Sequence, residues 1–267
     1  MKIGICGKGG SGKSTFVALL AGACKRNGKK VVVLDSDESN TSLYWLLGLD
    51  GAPRPLMDMV GGKKSVQRKM LARFSKGEEE PDMSIWEMTN LPSSEIPPAF
   101  IAQGEACKLV VTGKIHQSME GCACPMGAIT REFLKILQLS PNEVALIDME
   151  AGIEHFGRGI EANIDTVVAV VEPSLESIEL ARKVMDLTVS SGATFGGAVL
   201  NKVSSEEQRS YLRDRMSVVS VPVIGIIDYN DSIQTAALRG KPCPADSNGE
   251  VDRIAARLLL DYSDHYP

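Results

Sequence analysis

The sequence predicts a doubly wound α/β fold, with a mostly parallel sheet and helices on both of its faces. Short apolar runs rich in β-branched residues recur along the 267 residues, and they alternate with segments whose apolar positions are three and four residues apart. The runs are apolar on both faces, which is typical of parallel strands that helices cover above and below. Such alternation implies right-handed crossovers and places ligands beyond the carboxyl ends of the strands.

The predicted strands follow one another with helices between most of them. In chain order the strands are "KIGIC" (2–6), "KVVVLD" (30–35), "KLVVTG" (108–113), "EVALID" (143–148), "TVVAVVE" (166–172), "FGGAVLN" (195–201) and "PVIGIID" (222–228). The helical patterns are "KSTFVALLAGACKRNG", "GAITREFLKILQL", "SLESIELARKVMDLTVSSG", "SSEEQRSYLRDRM" and the C-terminal "GEVDRIAARLLLDYSDHYP". Gly28 and Gly192 stand where helix C-caps are expected.

Residues 51–107 break this alternation, because "GAPRPL", "VGGKKS", "KGEEEP" and "SSEIPP" cluster glycine, proline and charge. We expect one domain over residues 1–267, in which this segment is a variable, partly ordered insertion on one edge. Its "SIWEMTNLP" is compatible with another strand. Trp45 and Trp86 are expected to pack in the core or in the insertion.

The composition is that of a globular protein, with 43% apolar and 24% charged residues. The longest apolar runs fall short of the roughly 20 residues of a membrane span, and the N-terminus lacks the features of a signal peptide. We therefore expect a cytoplasmic protein with no membrane partner. The net charge of −5 and the pI near 5.4 argue against nucleic acid as a partner.

The segment "GKGGSGKST" (7–15) carries the strongest functional signal. Gly7, Gly12, Lys13 and Ser14 satisfy the pattern G-x-x-x-x-G-K-[ST], with a predicted strand before it and a predicted helix after it. This is the context of a P-loop, in which backbone N–H groups and the helix N-terminus hold phosphates. Lys13 is expected to reach the terminal phosphates and Ser14 to bind Mg²⁺. The predicted nucleotide-binding loop thus comprises Gly7, Lys8, Gly9, Gly10, Ser11, Gly12, Lys13, Ser14 and Thr15.

Acidic residues stand at the carboxyl ends of two predicted strands. Asp35 and Asp37 follow the second strand and Asp148 ends the fourth, where a terminal phosphate and Mg²⁺ are expected. Gly152 offers a backbone amide to the γ-phosphate, and Asn201 offers a side-chain amide to a base edge. The alternative for these polar side chains is an N-cap or turn residue.

Lys8 is a second lysine in the loop, and on the residues alone a solvated surface lysine is its alternative. The pattern K-G-G-x-G-K-S-T, however, resembles the deviant P-loop of the dimerising ATPases that include the nitrogenase iron protein, MinD and the carbon monoxide dehydrogenase accessory ATPases. The resemblance implies that ATP closes a homodimer in which Lys8 reaches the nucleotide of the facing subunit. It also implies that Asp37 orients the attacking water, that Asp35 lies near Mg²⁺ and that Asn201 contacts adenine. The catalytic residues would be Lys8, Lys13 and Asp37.

Cys122 and Cys124 in "GCACPMG" form a C-x-C pair. In an extended segment they face the same side, so two thiolates can bind one metal ion, and a two-fold partner would complete a Cys₄ site. Loop thiols without metal are the alternative. The other four cysteines are interpreted as structural: Cys6, Cys24, Cys107 and Cys243.

The segments "DMEAGIEHFGRGIEANID", "VVEPSLESI" and "LNKV", together with the C-x-C pair before a helix, resemble the CooC-type accessory ATPases. Those proteins support nickel insertion into carbon monoxide dehydrogenase, and sister ATPases serve acetyl-CoA synthase. The resemblance covers most of the chain apart from 51–107. It implies that Cys122 and Cys124 bind Ni²⁺ or Zn²⁺ between subunits, that ATP is hydrolysed to ADP, and that apo carbon monoxide dehydrogenase is the client.

Two other functions share the deviant loop. An iron–sulfur electron donor of the nitrogenase iron protein type places its cluster cysteines far apart in sequence, unlike this pair. A positioning ATPase of the MinD or partition type predicts a basic amphipathic tail or a basic patch, and the sequence supplies neither. The sequence therefore favours the maturation factor.

Overall fold

The computed structural model describes residues 1–37, 42–75, 85–113, 124–153, 156, 159–245 and 249–265. The strands in these ranges are β1 (Lys2–Gly7), β2 (Lys30–Asp35), β3 (Leu91–Pro92), β4 (Ala102–Gln103), β5 (Lys108–Val111), β6 (Leu137–Gln138), β7 (Glu143–Asp148), β8 (Thr166–Val171), β9 (Thr194–Val203) and β10 (Val223–Asp228). The helices are α1 (Lys13–Arg26), α2 (Leu43–Leu46), α3 (Leu56–Met59), α4 (Lys63–Ser75), α5 (Cys124–Ile136), α6 (Leu175–Ser190), α7 (Glu206–Val218), α8 (Asp231–Leu238) and α9 (Glu250–His265). None of the helices in these ranges has the length and apolar character needed to cross a membrane.

Eight of the described strands form one sheet in the order β10-β9-β8-β1-β7-β2-β5-β4. Its neighbouring strands pair in parallel, apart from β4 at the edge, which pairs antiparallel with β5. The chain leaves β1 toward β2 on one side and later adds β8 on the other. The loop after β1 therefore lies where doubly wound sheets bind ligands. The predicted fold class is confirmed.

Side chains along each central strand alternate between two buried layers. Ile3 and Ile5 of β1 pack with α1 and α9, whereas Cys6 joins the cluster that contains residues of α5, α6 and α7. In β2, Val33 belongs to the first layer and Leu34 to the second. Helices thus cover both faces of the sheet, as strands that are apolar on both sides require.

The helix ends follow local rules that the sequence carries. Ser174 and Ser205 cap α6 and α7, because each side chain accepts a hydrogen bond from the backbone N–H three residues on. Gly28 and Gly192 have φ of 76° and 83° directly after the C-caps of α1 and α6. Both glycine predictions are confirmed, since this left-handed conformation strains other residues.

The segment 51–107 contributes to the main core through its described residues. Leu56 and Ile85 are buried in the same cluster as α5, and Trp86 lies 5.6 Å from the ring of Phe133, centroid to centroid. Its β4 is the last strand at one edge of the sheet. The segment is thus held by apolar burial, not only by its ends.

Two predicted elements differ from the structure. The strand suggested for "SIWEMTNLP" is wrong except at Leu91–Pro92. Earlier in this segment, the Ile85 N–H donates to the Glu132 carboxylate at 2.7 Å and not to a neighbouring strand. The helix predicted through residue 139 ends at Ile136, because the next two residues form β6, which pairs in parallel with β3. Both differences arise from contacts between segments distant in sequence.

Candidate nucleotide-binding site

The loop between β1 and α1 has a backbone that requires glycine. At Gly12 φ is +95°, and a Cβ there would lie closer than 3.0 Å to the amide nitrogen of Asn201. At Gly7 φ is +146°, and a Cβ would lie closer than 3.0 Å to the carbonyl oxygen of Val170. Any larger residue would therefore displace the neighbouring strands or strain the loop.

The loop presents groups that suit a phosphate. The Lys13 side chain is almost completely buried, and its Nζ donates to the Lys8 carbonyl oxygen at 3.3 Å. The Ser11 hydroxyl is buried and has no hydrogen-bond partner among the described residues. The N-terminus of α1 adds positive potential, and its first turn contains no acidic residue. A buried ammonium, an unsatisfied hydroxyl and a helix N-terminus together fit an anion of high charge.

Asp35 and Asp148 lie side by side at the carboxyl ends of β2 and β7, which pair them in register. Both are buried, and the Ser14 hydroxyl donates to Oδ2 of Asp148 at 2.6 Å. One hydroxyl and two carboxylates are hard oxygen donors of the kind that Mg²⁺ prefers. The residues present therefore fit the predicted magnesium ion.

A cavity of about 550 Å³ lies over the loop. This volume is within the range of small-molecule sites, about 300–1,000 Å³. The predicted residues that line it are Gly9, Gly10, Gly12, Lys13, Ser14, Thr15, Asp37 and Asn201. The structure thus brings one side of the predicted site together around one cavity, next to the buried Asp35 and Asp148.

Part of the cavity wall comes from residues that the sequence did not indicate. Tyr229 and Ile233, from the segment after β10, line it together with Trp45 and Leu46 of α2. The first pair could have been found, because they follow the carboxyl end of a predicted strand. Trp45 is half-buried at the cavity, so its assignment to the core or the insertion is wrong, whereas Trp86 is buried as expected. Aromatic and apolar side chains here would suit a base and sugar.

Asn201 lies within β9, which continues to Val203, and not in a turn after it. Its Nδ2 donates to the Ser11 carbonyl oxygen at 2.8 Å. The next residue, Lys202, has a φ of 60°, and its Nζ donates to the Gly10 carbonyl oxygen. Both side chains thus hold the backbone of the loop, which is a role additional to the predicted adenine contact.

Lys8 and Gly152 line a second cavity of about 380 Å³ next to the first. The Gly152 N–H donates to the Gly7 carbonyl oxygen at 3.1 Å, so its predicted contact with a γ-phosphate would require this bond to open. The Lys8 Nζ lies 2.8 Å from a Glu176 oxygen and 3.6 Å from a Glu172 oxygen. The charge of Lys8 is therefore balanced by carboxylates of its own chain.

The predicted cysteine pair lies at an edge of the described residues. Cys122 falls outside the described residues, and Cys124 begins α5 with a side chain that also falls outside them. Elsewhere in the described ranges, no group of three or more His, Cys, Asp or Glu side chains could hold a metal ion. Burial raises the pKa of three other thiols to about 12, which keeps them protonated and agrees with their structural interpretation: Cys6, Cys24 and Cys107.

The loop requires glycine at Gly7 and Gly12, contains a buried lysine and leads into a helix beside the Ser14–Asp148 hydrogen bond. This geometry is that of the P-loop nucleotide-binding proteins. Comparison with protein families agrees with this class. The model described as CbiA, the CobQ/CobB/MinD/ParA nucleotide binding domain, matches residues 5–243. The chain belongs to this family of nucleotide-binding ATPases.

Individual relatives match nearly the whole chain. The uncharacterized ATP-binding protein MJ0084 of Methanocaldococcus jannaschii is 39% identical over 254 residues, which cover 95% of this chain and 96% of that protein. The carbon monoxide dehydrogenase accessory protein CooC of Rhodospirillum rubrum is 32% identical over 247 residues, covering 91% and 89%. Among solved structures, the septum site-determining protein MinD of Pyrococcus horikoshii, complexed with Mg-ADP, has a TM-score of 0.65 at 18% identity and covers 96% of this chain and 95% of that one. That last likeness shows the fold.

Proposed function

We propose that this ATPase is a dimerising maturation factor that binds metal at Cys122 and Cys124 and assists nickel insertion into carbon monoxide dehydrogenase or the related acetyl-CoA synthase. The similarity to CooC, a carbon monoxide dehydrogenase accessory protein, supports this client. In this proposal residues 1–267 act in the cytoplasm as one ATPase domain, and 51–107 is an insertion in it.

The proposed substrate is ATP with Mg²⁺, and the relative solved with Mg-ADP supports this choice. Ser14, with Asp35 and Asp148 beside it, would hold Mg²⁺, which would supply positive charge next to the phosphates. Lys13 neutralises the phosphates, and Asp37 orients the water that attacks the γ-phosphate. The products are ADP and phosphate.

The observation that supports the proposed dimer is the position of Lys8. This lysine belongs to the phosphate loop, yet it lines the second cavity and not the one that Lys13 lines. Its side chain is 31% exposed, so it lies at the surface of its own chain. In a two-fold dimer each Lys8 could neutralise the phosphates held by the facing copy, as an arginine finger does.

The same symmetry would complete the metal site. Two copies of the C-x-C pair supply four thiolates, the number that a tetrahedral site requires. Nickel is the cargo in this proposal, and Zn²⁺ is the other ion that such a donor set accepts. ATP-driven closure brings the two pairs together, and hydrolysis to ADP separates them.

A positioning ATPase of the MinD or partition type is the alternative that shares the fold. It needs a surface for membrane or DNA. The apolar residues Val251, Ile254 and Leu258 of α9 are buried in the core, so these three side chains are not available to a membrane. An iron–sulfur electron donor remains the second alternative, and an iron–sulfur chromophore in anaerobically purified protein would favour it.

The metal proposal is tested by measuring metal content and oligomeric mass together, with ADP and with a slowly hydrolysed ATP analogue. The samples are the wild type, the Cys122→Ala/Cys124→Ala variant, and Cys243→Ala as a control that removes a different thiol. We expect one metal ion per dimer for the wild type and the control, and none for the double variant. Equal metal binding by the double variant would contradict these ligands, and ATP-dependent sedimentation with vesicles or DNA would favour a positioning ATPase.

The dimer is tested with Lys8→Ala. This variant should bind ATP nearly as well as the wild type but lose ATP-driven dimerisation and turnover, since Lys8 does not line its own nucleotide cavity. Lys183→Ala is the matched control, because Lys183 lines the same second cavity and is not in the loop. Full turnover in Lys8→Ala would show that Lys8 is only a surface charge.

A further inference from the structure

Two carboxylates of the chain hold Lys8. Glu176, at the start of α6, has an oxygen 2.8 Å from Nζ, and Glu172, just after β8, has one at 3.6 Å. The side chains of Lys8 and Glu172 are 31% and 22% exposed, so this pair is partly shielded from water. The hydrogen bond to Glu176 contributes most to raising the pKa of the Lys8 amine, with the Glu172 charge acting in the same direction.

Glu172 also connects Lys8 to the other side of the loop. Its second oxygen lies 3.5 Å from Nζ of Lys202, and Lys202 donates to the Gly10 carbonyl oxygen. Lys202 follows Asn201, which lines the nucleotide cavity, and has a φ of 60° that is uncommon for a residue other than glycine. One glutamate therefore joins the lysine of the second cavity to a segment that lines the first.

These contacts compete with any contact that Lys8 makes outside its own chain. An ammonium has three donors, but a lysine that reaches a facing subunit must leave carboxylates at 2.8 and 3.6 Å. We infer that Glu172 and Glu176 are positioning residues that hold Lys8 in its own chain and thereby weaken association until a nucleotide in the facing subunit competes for the amine. This inference rests on the proposed function, since it concerns the same trans lysine.

The expected effect is moderate. An ion pair of this exposure changes an equilibrium constant by at most about fivefold. A symmetric dimer releases Lys8 from both chains, so removing the two carboxylate charges should lower the dissociation constant of the ATP-analogue dimer about tenfold. The triphosphate carries more negative charge than the glutamates, which is why it can displace them.

The first experiment tests whether Glu172 and Glu176 contact Lys8, and it is done on the monomeric protein without nucleotide. The wild type, Glu172→Gln/Glu176→Gln and Glu179→Gln are treated at low protein concentration with trace acetic anhydride, and acetylation of Lys8 is measured by peptide mass spectrometry. Glu179 lines the same cavity, so its variant controls for the loss of a charge there. We expect Lys8 to be acetylated at least about threefold faster in the double variant and unchanged in the control, because the carboxylates keep the amine protonated. Equal rates in all three proteins overturn the inference.

The second experiment measures the dimer dissociation constant of the same proteins by sedimentation with a slowly hydrolysed ATP analogue. The double variant should associate about tenfold more tightly than the wild type and the Glu179→Gln control. Equal or weaker association in the double variant overturns the inference even if Lys8 is acetylated faster. If all three proteins remain monomers, the proposed dimer itself is contradicted and the inference falls with it, whereas faster acetylation would still establish the contact.

Discussion

The glycine positions of the loop offer a graded test of its geometry. We consider Gly9→Ala, Gly10→Ala and Gly12→Ala, which add the same methyl group at three neighbouring sites. At Gly9 the nearest atom to a new Cβ is 3.8 Å away, an ordinary contact, and at Gly10 nothing lies within 4 Å but φ is +82°. At Gly12 φ is +95° and the Cβ would lie closer than 3.0 Å to Nδ2 of Asn201. The three variants thus separate backbone strain from steric overlap.

The magnitudes follow from these distances. Gly9→Ala should be neutral or stabilise the protein by up to about 1 kcal/mol, because alanine restricts the unfolded chain. Gly10→Ala adds left-handed strain of about 1–2 kcal/mol. Gly12→Ala adds similar strain and also displaces the Asn201 amide, whose hydrogen bond to the Ser11 carbonyl would be lost at a cost of about 1–3 kcal/mol. We expect a total of about 2–5 kcal/mol, a large part of the stability of a typical domain.

The assay is urea unfolding followed by circular dichroism, with Asn201→Ala added alone and in the Gly12→Ala background. If the overlap is real, the double variant loses less free energy of unfolding than the sum of the single losses, because the displaced amide is already absent. Additive losses, or a Gly12→Ala protein as stable as Gly9→Ala, would refute the placement of Asn201 against the loop.

Three further outcomes are expected. ATP should change the tryptophan fluorescence of the wild type and of Trp86→Phe, because both keep Trp45, which lines the cavity. Trp45→Phe should show no such change, and a change in that variant would contradict the position of Trp45. Native Cys24 should resist iodoacetamide at pH 8 by peptide mass spectrometry, because a thiol of pKa about 12 is only about one part in 10⁴ thiolate there, and rapid labelling would contradict its burial. Burial tends to raise the pKa of Glu143, but hydrogen bonds from Ser140 and Ser93 lower it overall. The wild type should therefore be more stable than Glu143→Gln at neutral pH, and this difference should disappear in acid. Urea unfolding midpoints of the two proteins over a range of pH would test this, and a difference that does not change with pH would contradict it.

The fold was largely predictable because its central strands carry local signals. A strand such as β7 is apolar on both faces over its whole length, and α6 has a serine cap at one end and Gly192 after the other. The short strands were not predictable. Leu91–Pro92 and Leu137–Gln138 pair across 46 residues of sequence, and two residues carry no period of their own.

The residues of the candidate site can likewise be divided into those with a local sequence signal and those without one. The P-loop, Asp35 and Asp148 could be predicted, since each stands at the carboxyl end of a strand within a pattern whose physical reason is known. Trp45 could not, because it lies on a four-residue helix that carries no motif. The partners of Lys8 were also missed. Glu172 and Glu176 are more than 160 residues away in sequence, and only the pairing of β1 with β8 brings the end of β8 beside the loop.

The contacts on the loop also explain how a backbone can attract an anion. A peptide loop offers carbonyl oxygens as readily as N–H groups, and carbonyls facing a phosphate would repel it. Here the carbonyl oxygens of positions 8, 10 and 11 accept hydrogen bonds from Lys13, Lys202 and Asn201. These three side chains engage three carbonyl oxygens of the loop, so fewer acceptors are left to repel an anion in the cavity. Asn201 and Lys202 therefore orient the loop whether or not they touch the nucleotide.

Glu172, Lys202 and Lys8 form a chain of ion pairs that runs from the loop to the second cavity. Lys202 bonds the loop and pairs with Glu172, and Glu172 also pairs with Lys8 at the second cavity. Glu172 thus links the loop that lines the first cavity to the lysine of the second, because its two oxygens contact the two amines. In the proposed dimer, coupling between nucleotide binding and the facing subunit would need no large movement, only a shift of this carboxylate between the two amines.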